Sequence, residues 1–241
     1  MAERPIFVSK PASAQLVEEV FLQLKWHPGF AAVQKEKNIR ALHEAAARAG
    51  HLNILEVSTK SENPRGQELS AFNLKVRNEG RGEVPLECVF QGSKVFERGG
   101  PFVDLYSMDV RSARKDPRLK ESGKLVAFEF DGSRWPLEPK TVFYDWLYVS
   151  CIYTSLDRAQ ELFQYGGFSD IEFNPFRSIN CQARSIALFL SLMQRGELGE
   201  AVKSPSDFLR VILNSDYRPD LRVNPPVSKF IAHGWPRLDQ T

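Results

Sequence analysis

The chain has 241 residues, 42% hydrophobic and 26% charged, with 32 basic and 30 acidic side chains and a net charge of +2. That composition belongs to a chain able to bury a core unaided, and it excludes the disordered and collagen-like classes. The near-neutral charge argues against a protein that grips a nucleic-acid backbone along its length, but not against one that handles a single modified base.

Taken in order, residues 13–24 read as an amphipathic helix, with Leu16, Val17, Val20, Phe21 and Leu24 at helical spacing and Ser13 as its N-cap. A second helix is expected over 33–49, closed by Gly50. Asn53 to Val57 is a strand candidate, Ser58 to Gly66 a polar loop and Leu69 to Val76 a second strand, followed by a turn over 78–82. A helix is expected from Pro85 to about Phe96, stopped by Gly99-Gly100-Pro101, and another over Asp104 to Lys115. Lys124 to Phe130 alternates as a strand and ends in the turn signal Asp131-Gly132. Helices are expected over 137–151, 155–165, 181–195 and 205–214, with a loop over 168–179 and a proline-rich arm from Tyr217. The class is a helix-rich α+β domain. Its expected division is an N-terminal helical extension over 1–50, a catalytic domain over 51–215 and a tail over 216–241.

Three widely spaced cysteines form no CxxC pair, and four histidines show no metal-ligand spacing, so neither a metal nor a cofactor is expected. The N-terminus lacks the basic and apolar start of a signal peptide, and the longest apolar runs are far too short to span a bilayer; a cytoplasmic protein without membrane contact is expected.

Three segments carry polar residues in apolar company. On a helix, Glu87, Phe90, Gln91 and Lys94 share one face. A carboxylate there suits acid–base work; the alternative is a charged surface face with Phe90 at its edge. Asp170 and Glu172 lie among three phenylalanines in a loop, as a carboxylate pair for glycosidic chemistry or as an ordinary turn. Asn180 precedes an apolar helix, either presenting backbone N–H groups to an anion or capping the helix. The loop with Lys60, Ser61 and Arg65 could cradle phosphate. Trp135 is either core or a ring for stacking.

Leu69-Ser70-Ala71-Phe72-Asn73, followed by Pro85-Leu86-Glu87-Cys88-Val89-Phe90-Gln91-Gly92-Ser93-Lys94, resembles the NADAR family (NAD- and ADP-ribose-associated). The family pattern is an LSNF-like segment and then a helix carrying Glu, Phe, Gln and Lys. Ala71 stands where the family has Asn, and Cys88 where it has His. "SxKSENxxGxxLSAFNL" and "EFNPxxSINCQARS" are similar to the branch encoded beside DarT-type ADP-ribosyltransferase toxins. The resemblance implies a helix-rich NADAR-like (YbiA-like) α+β fold. It also implies an N-glycosidase that removes ADP-ribose from guanine bases of DNA, or of RNA, as the antitoxin of a DarT-like toxin. Its partners would be ADP-ribosylated nucleic acid, the product ADP-ribose and the toxin. Cleavage of ribosylamino pyrimidines, or binding of modified nucleic acid without catalysis, are the alternatives. Glu87 and Asp170 are the implied catalytic pair. Lys60, Ser61, Arg65, Ser70, Phe72, Gln91, Lys94, Trp135 and Asn180 are the expected substrate contacts, with a ring of Trp135 or Phe168 stacked on a base.

Overall fold

The computed structural model describes residues 1–78, 82–154, 156–176 and 178–214. The first element is a strand, β1 (Ala2–Ser9), paired in antiparallel register with β2 (Val17–Leu24) from Ala2↔Leu24 to Ser9↔Val17. The helix expected over 13–24 is therefore this hairpin. The same residues satisfy a period of two, since Leu22 and Leu24 are buried together while Phe21 and Gln23 are exposed, and eight partner residues on β1 select that period. The second expected helix is present as α1 (Ala32–Arg48), which lays Ile39, Leu42, Ala45 and Ala46 on the sheet.

β3 (Ile54–Glu56) leads through a polar loop to the short helix α2 (Pro64–Glu68). A β-carbon at Gly66 would lie 1.9 Å from the Glu56 carbonyl oxygen, so only glycine lets α2 sit this close to β3. The expected strand 69–76 splits. Residues 71–73 form a turn, and β4 (Lys75–Asn78) pairs with β5 (Gly82–Pro85). Part of the turn expected between them lies outside the described residues.

The helix starting near Pro85 is α3 (Leu86–Gly92), shorter than expected because Lys94 to Phe96 pair as strand β6 (Lys94–Phe96). A 3-10 helix (Val103–Ser107), α4 (Val110–Lys115) and α5 (Arg118–Glu121) follow. β7 (Leu125–Phe130) and β8 (Ser133–Trp135) complete a three-stranded sheet, joined by Asp131 and Gly132 at φ +46° and +72°, the left-handed pair this hairpin turn requires.

The next helix, α6 (Val142–Tyr153), starts later than expected, since bends and turns occupy residues 136–141 after β8; a 3-10 helix (Leu156–Gln164) stands where the one over 155–165 was expected. β9 (Gly167–Ser169) opens the segment expected as loop. The apolar helix is α7 (Gln182–Gln194), followed by α8 (Leu198–Ala201) and α9 (Pro205–Asn214). The proline-rich arm lies outside the described residues.

The elements form one α+β domain. The first sheet runs β2-β1-β9-β3. β1 joins β9, so the hairpin of the first fifty residues belongs to the same sheet as residues 167–169. Successive residues of β1 serve opposite faces: Ile6 packs in the α1 cluster and Phe7 in the larger core with α6 and α7. β3 and β9 run parallel, with Glu56 opposite Ser169, so their carboxyl ends release two loops at the same edge. That edge is where ligands collect in parallel sheets.

Among the described residues no helix is long and apolar enough to cross a membrane.

Candidate active site

The loops after β3 and β9, the turn 70–73 and helices α3 and α4 surround a cavity of about 880 Å³. Its size falls in the range of small-molecule sites. Its assembly is dictated by backbone pairing. The Leu86 and Glu87 N–H groups donate to the Leu74 and Ala71 carbonyls, which fastens the turn to the start of α3. The first side chain of α7, Gln182, accepts from the Ala71 N–H at 2.8 Å and donates to the Val57 carbonyl at 2.6 Å, tying the turn to the loop after β3.

Glu87 lines the cavity. Its Oε1 accepts from Gln91 Nε2 at 2.9 Å and stands 3.2 Å from Arg114 Nε. Lys94 Nζ in turn donates to Gln91 Oε1 at 2.6 Å and lies 4.9 Å from the centroid of the Phe90 ring. The four residues predicted to share a helix face thus form one chain of contacts, although Lys94 itself lies on β6. Burial pushes the Lys94 ammonium down from its ordinary value, against the pull of Glu87.

Asp170, the other predicted carboxylate, enters the same cavity from the end of β9 and is buried. Burial first, and then the nearby Glu56, pushes it up to about 8, against hydrogen bonds from the Glu172 N–H at 3.0 Å and from Gln182. It therefore keeps its proton at neutral pH, while Glu87 faces a guanidinium. Two carboxyl groups with opposed environments converge on one space, the arrangement from which an acid and a base are assigned.

Lys60, Ser70, Phe72, Gln91 and Asn180 also line the cavity. Asn180 Oδ1 is buried and has no hydrogen-bond partner among the described residues. The sequence reading missed Arg111, Arg114 and Lys115, three cations that α4 adds to the wall, and Tyr144 from α6. Arg111, Arg114, Lys115 and Arg118 stand at helical spacing in the sequence, but nothing local says which wall of which cleft they face.

The other expected contacts do not line the cavity, Lys94 reaching it only through Gln91. Ser61 is buried with its Oγ accepting from the Asn63 N–H, and Arg65 on α2 pairs with Glu68 and Glu161 and lines a separate cleft of about 550 Å³. Trp135 is fully buried, 4.8 Å from the Trp146 ring and 5.6 Å from Phe143, and Phe168 is buried in β9; neither can stack on a ligand. The rings that line the cavity are Phe72, Phe90, Tyr144 and Phe173. Trp135→Ala should accordingly lower stability by about 3–5 kcal/mol in denaturant titration, with ligand affinity changing no more than the fraction folded.

The three cysteines are buried, and desolvation pushes the Cys88 and Cys151 thiols up to about 11 and about 12, so neither is a ready nucleophile. Among the described residues no group of three or more His, Cys, Asp or Glu side chains could hold a metal ion.

A search of curated proteins returned no match to this chain. The family model described as the DarT1-associated NADAR antitoxin matches residues 2–221, which include both carboxylates, the α4 cations and the whole four-stranded sheet, and the chain belongs to that family.

Proposed function

We propose that the protein is an N-glycosidase that hydrolyses the bond between ADP-ribose and a modified guanine base, and so acts as antitoxin to a DarT-type toxin. The observation that carries the reading is the pairing of Glu87, held beside Arg114, with the protonated, buried Asp170 around one cavity. Breaking a base–ribose bond builds positive charge at the anomeric carbon and negative charge on the departing base. Glu87 steadies the first and takes a proton from the attacking water. Asp170 gives its proton to the base nitrogen as the carbon–nitrogen bond breaks. Water's oxygen and one of its protons end on the ribose as the anomeric hydroxyl, and its other proton is taken by Glu87 and, after exchange with solvent, restores Asp170. Family membership supports the antitoxin role.

Arg111 and Lys115 on α4, with Lys60 across the cavity, supply the positive charge a diphosphate needs. Replacing Arg111 and Lys115 together by alanine is expected to weaken ADP-ribose binding about a hundredfold or more, since each charged hydrogen bond contributes about 1.5–3 kcal/mol. Arg65→Ala should leave the affinity unchanged. Titration calorimetry with free ADP-ribose at two salt concentrations distinguishes the two.

The decisive assay incubates the protein with an ADP-ribosylated guanine oligonucleotide and follows free ADP-ribose and intact base. Release of both is expected. Tight binding with the modification retained would replace the reading with a non-catalytic binder, and turnover of a ribosylamino pyrimidine instead would replace the substrate.

A further inference from the structure

Glu56 is buried at the carboxyl end of β3, and the chemistry above makes no use of it. Its Oε1 accepts from the Ser58 hydroxyl at 2.8 Å and from the Ile171 N–H at 2.9 Å; its Oε2 accepts from the Ser169 hydroxyl at 2.6 Å. Ser169 and Ile171 are the two residues flanking Asp170. The parallel pairing that sets Glu56 opposite Ser169 makes this grip possible.

The Ser169 hydroxyl gives its proton to Glu56, so its oxygen is left to accept from His43 Nε2 at 2.9 Å. That fixes the His43 tautomer with the proton on Nε2. Burial pushes His43 down to about 4, so the ring is neutral under ordinary conditions. Helix α1 thus reaches the site through His43, Ser169 and Glu56.

We propose that Glu56 is a positioning residue for Asp170, clamping the residues on both of its sides and setting a second negative charge beside it. This rests on the reading of Asp170 as the acid. The two carboxyls share one buried environment that favours a single charge between them. Burial pushes both up, but Glu56 has three donors and Asp170 fewer, so the charge rests on Glu56 and the proton on Asp170. The other ionisable groups around Asp170 are Glu172, which Lys35 pairs at 2.9 Å, and Tyr144, Tyr148 and Cys181, all three held neutral by burial.

The test uses the full chain with carbon-13 in its aspartate carboxyl groups, the Asp170 signal being assigned by its loss in Asp170→Asn. In the wild type that signal should titrate near 8. In Glu56→Gln, which keeps the shape and an acceptor oxygen, it should titrate well to the acid side. The alkaline limb of kcat/KM for ADP-ribose release should move the same way. Ser169→Ala removes one donor, makes Glu56 easier to protonate and should move the signal in the same direction by less. An Asp170 signal that stays put in folded Glu56→Gln, or in folded Ser169→Ala where the first variant does not fold, overturns the proposal. The titration needs no turnover, so failure of the wild type to release ADP-ribose would sink the glycosidase reading and leave this one standing.

Discussion

Glu87→Gln is expected to bind ADP-ribose as the wild type does and to release it from modified guanine about 10²–10⁴-fold more slowly, the usual contribution of a positioned acid–base group. The amide keeps the shape of the side chain and an oxygen to accept from Gln91 Nε2, so α3 and the cavity wall should hold. What disappears is the charge that answers the developing cation and the basic oxygen that takes the water proton. Arg114 loses its partner, but its side chain is half exposed and can be solvated at little cost. Single-turnover release of ADP-ribose separates the chemical step from binding, and a rate near that of the wild type would remove Glu87 from the mechanism.

Asp170→Asn should also lose turnover, and at the same time gain stability. The folded carboxyl titrates near 8, whereas the same group in an unfolded chain titrates at its ordinary value of 3.8. Between those two values the folded state holds a proton that the unfolded state has released. Wild-type stability is therefore fullest below the lower value and falls as pH rises towards 8. Each unit of separation corresponds to about 1.4 kcal/mol, so the burden at neutral pH amounts to about a few kcal/mol. Asparagine does not titrate and leaves Glu56 as the single charge of the pair. The two proteins should melt at similar temperatures near pH 4, with the variant progressively the more stable up to pH 8. Parallel melting curves across that range would show that the buried carboxyl is not held protonated by the fold.

Helices α1, α7 and α9 were legible because each combines a helical apolar period with a clear start or stop, such as Gly50 after α1 and Gly196 after α7. β7 and the turn after it were legible from alternation and from Asp131-Gly132, whose left-handed backbone few other pairs accept, but the partner strand β8 was not. β2 was not, because Val17 to Leu24 fits two periods and only pairing with β1 chooses between them. Trp135 shows the same ambiguity at the level of function: a tryptophan can fill a core or carry a base, and the packing of Phe143 and Trp146 decides.

Within the site, Glu87 and the pair Asp170 and Glu172 stood out by their apolar company, but spacing alone left a surface face and an ordinary turn open, and the family resemblance singled out Glu87 and Asp170. Their convergence was a different matter. It depends on β9 entering a sheet between β1 and β3, and on hydrogen bonds such as that of Ser169 to Glu56, 113 positions apart in the chain. The cations of α4 and the clamp on Asp170 come from segments with no local mark of a site. Local spacing carries the period of an element and the chemistry its side chains offer. Which side chains are stripped of water, and which charges then stand next to one another, follows from long-range packing alone, and in the proposed mechanism those two quantities set one carboxyl group to act as a base and the other as an acid.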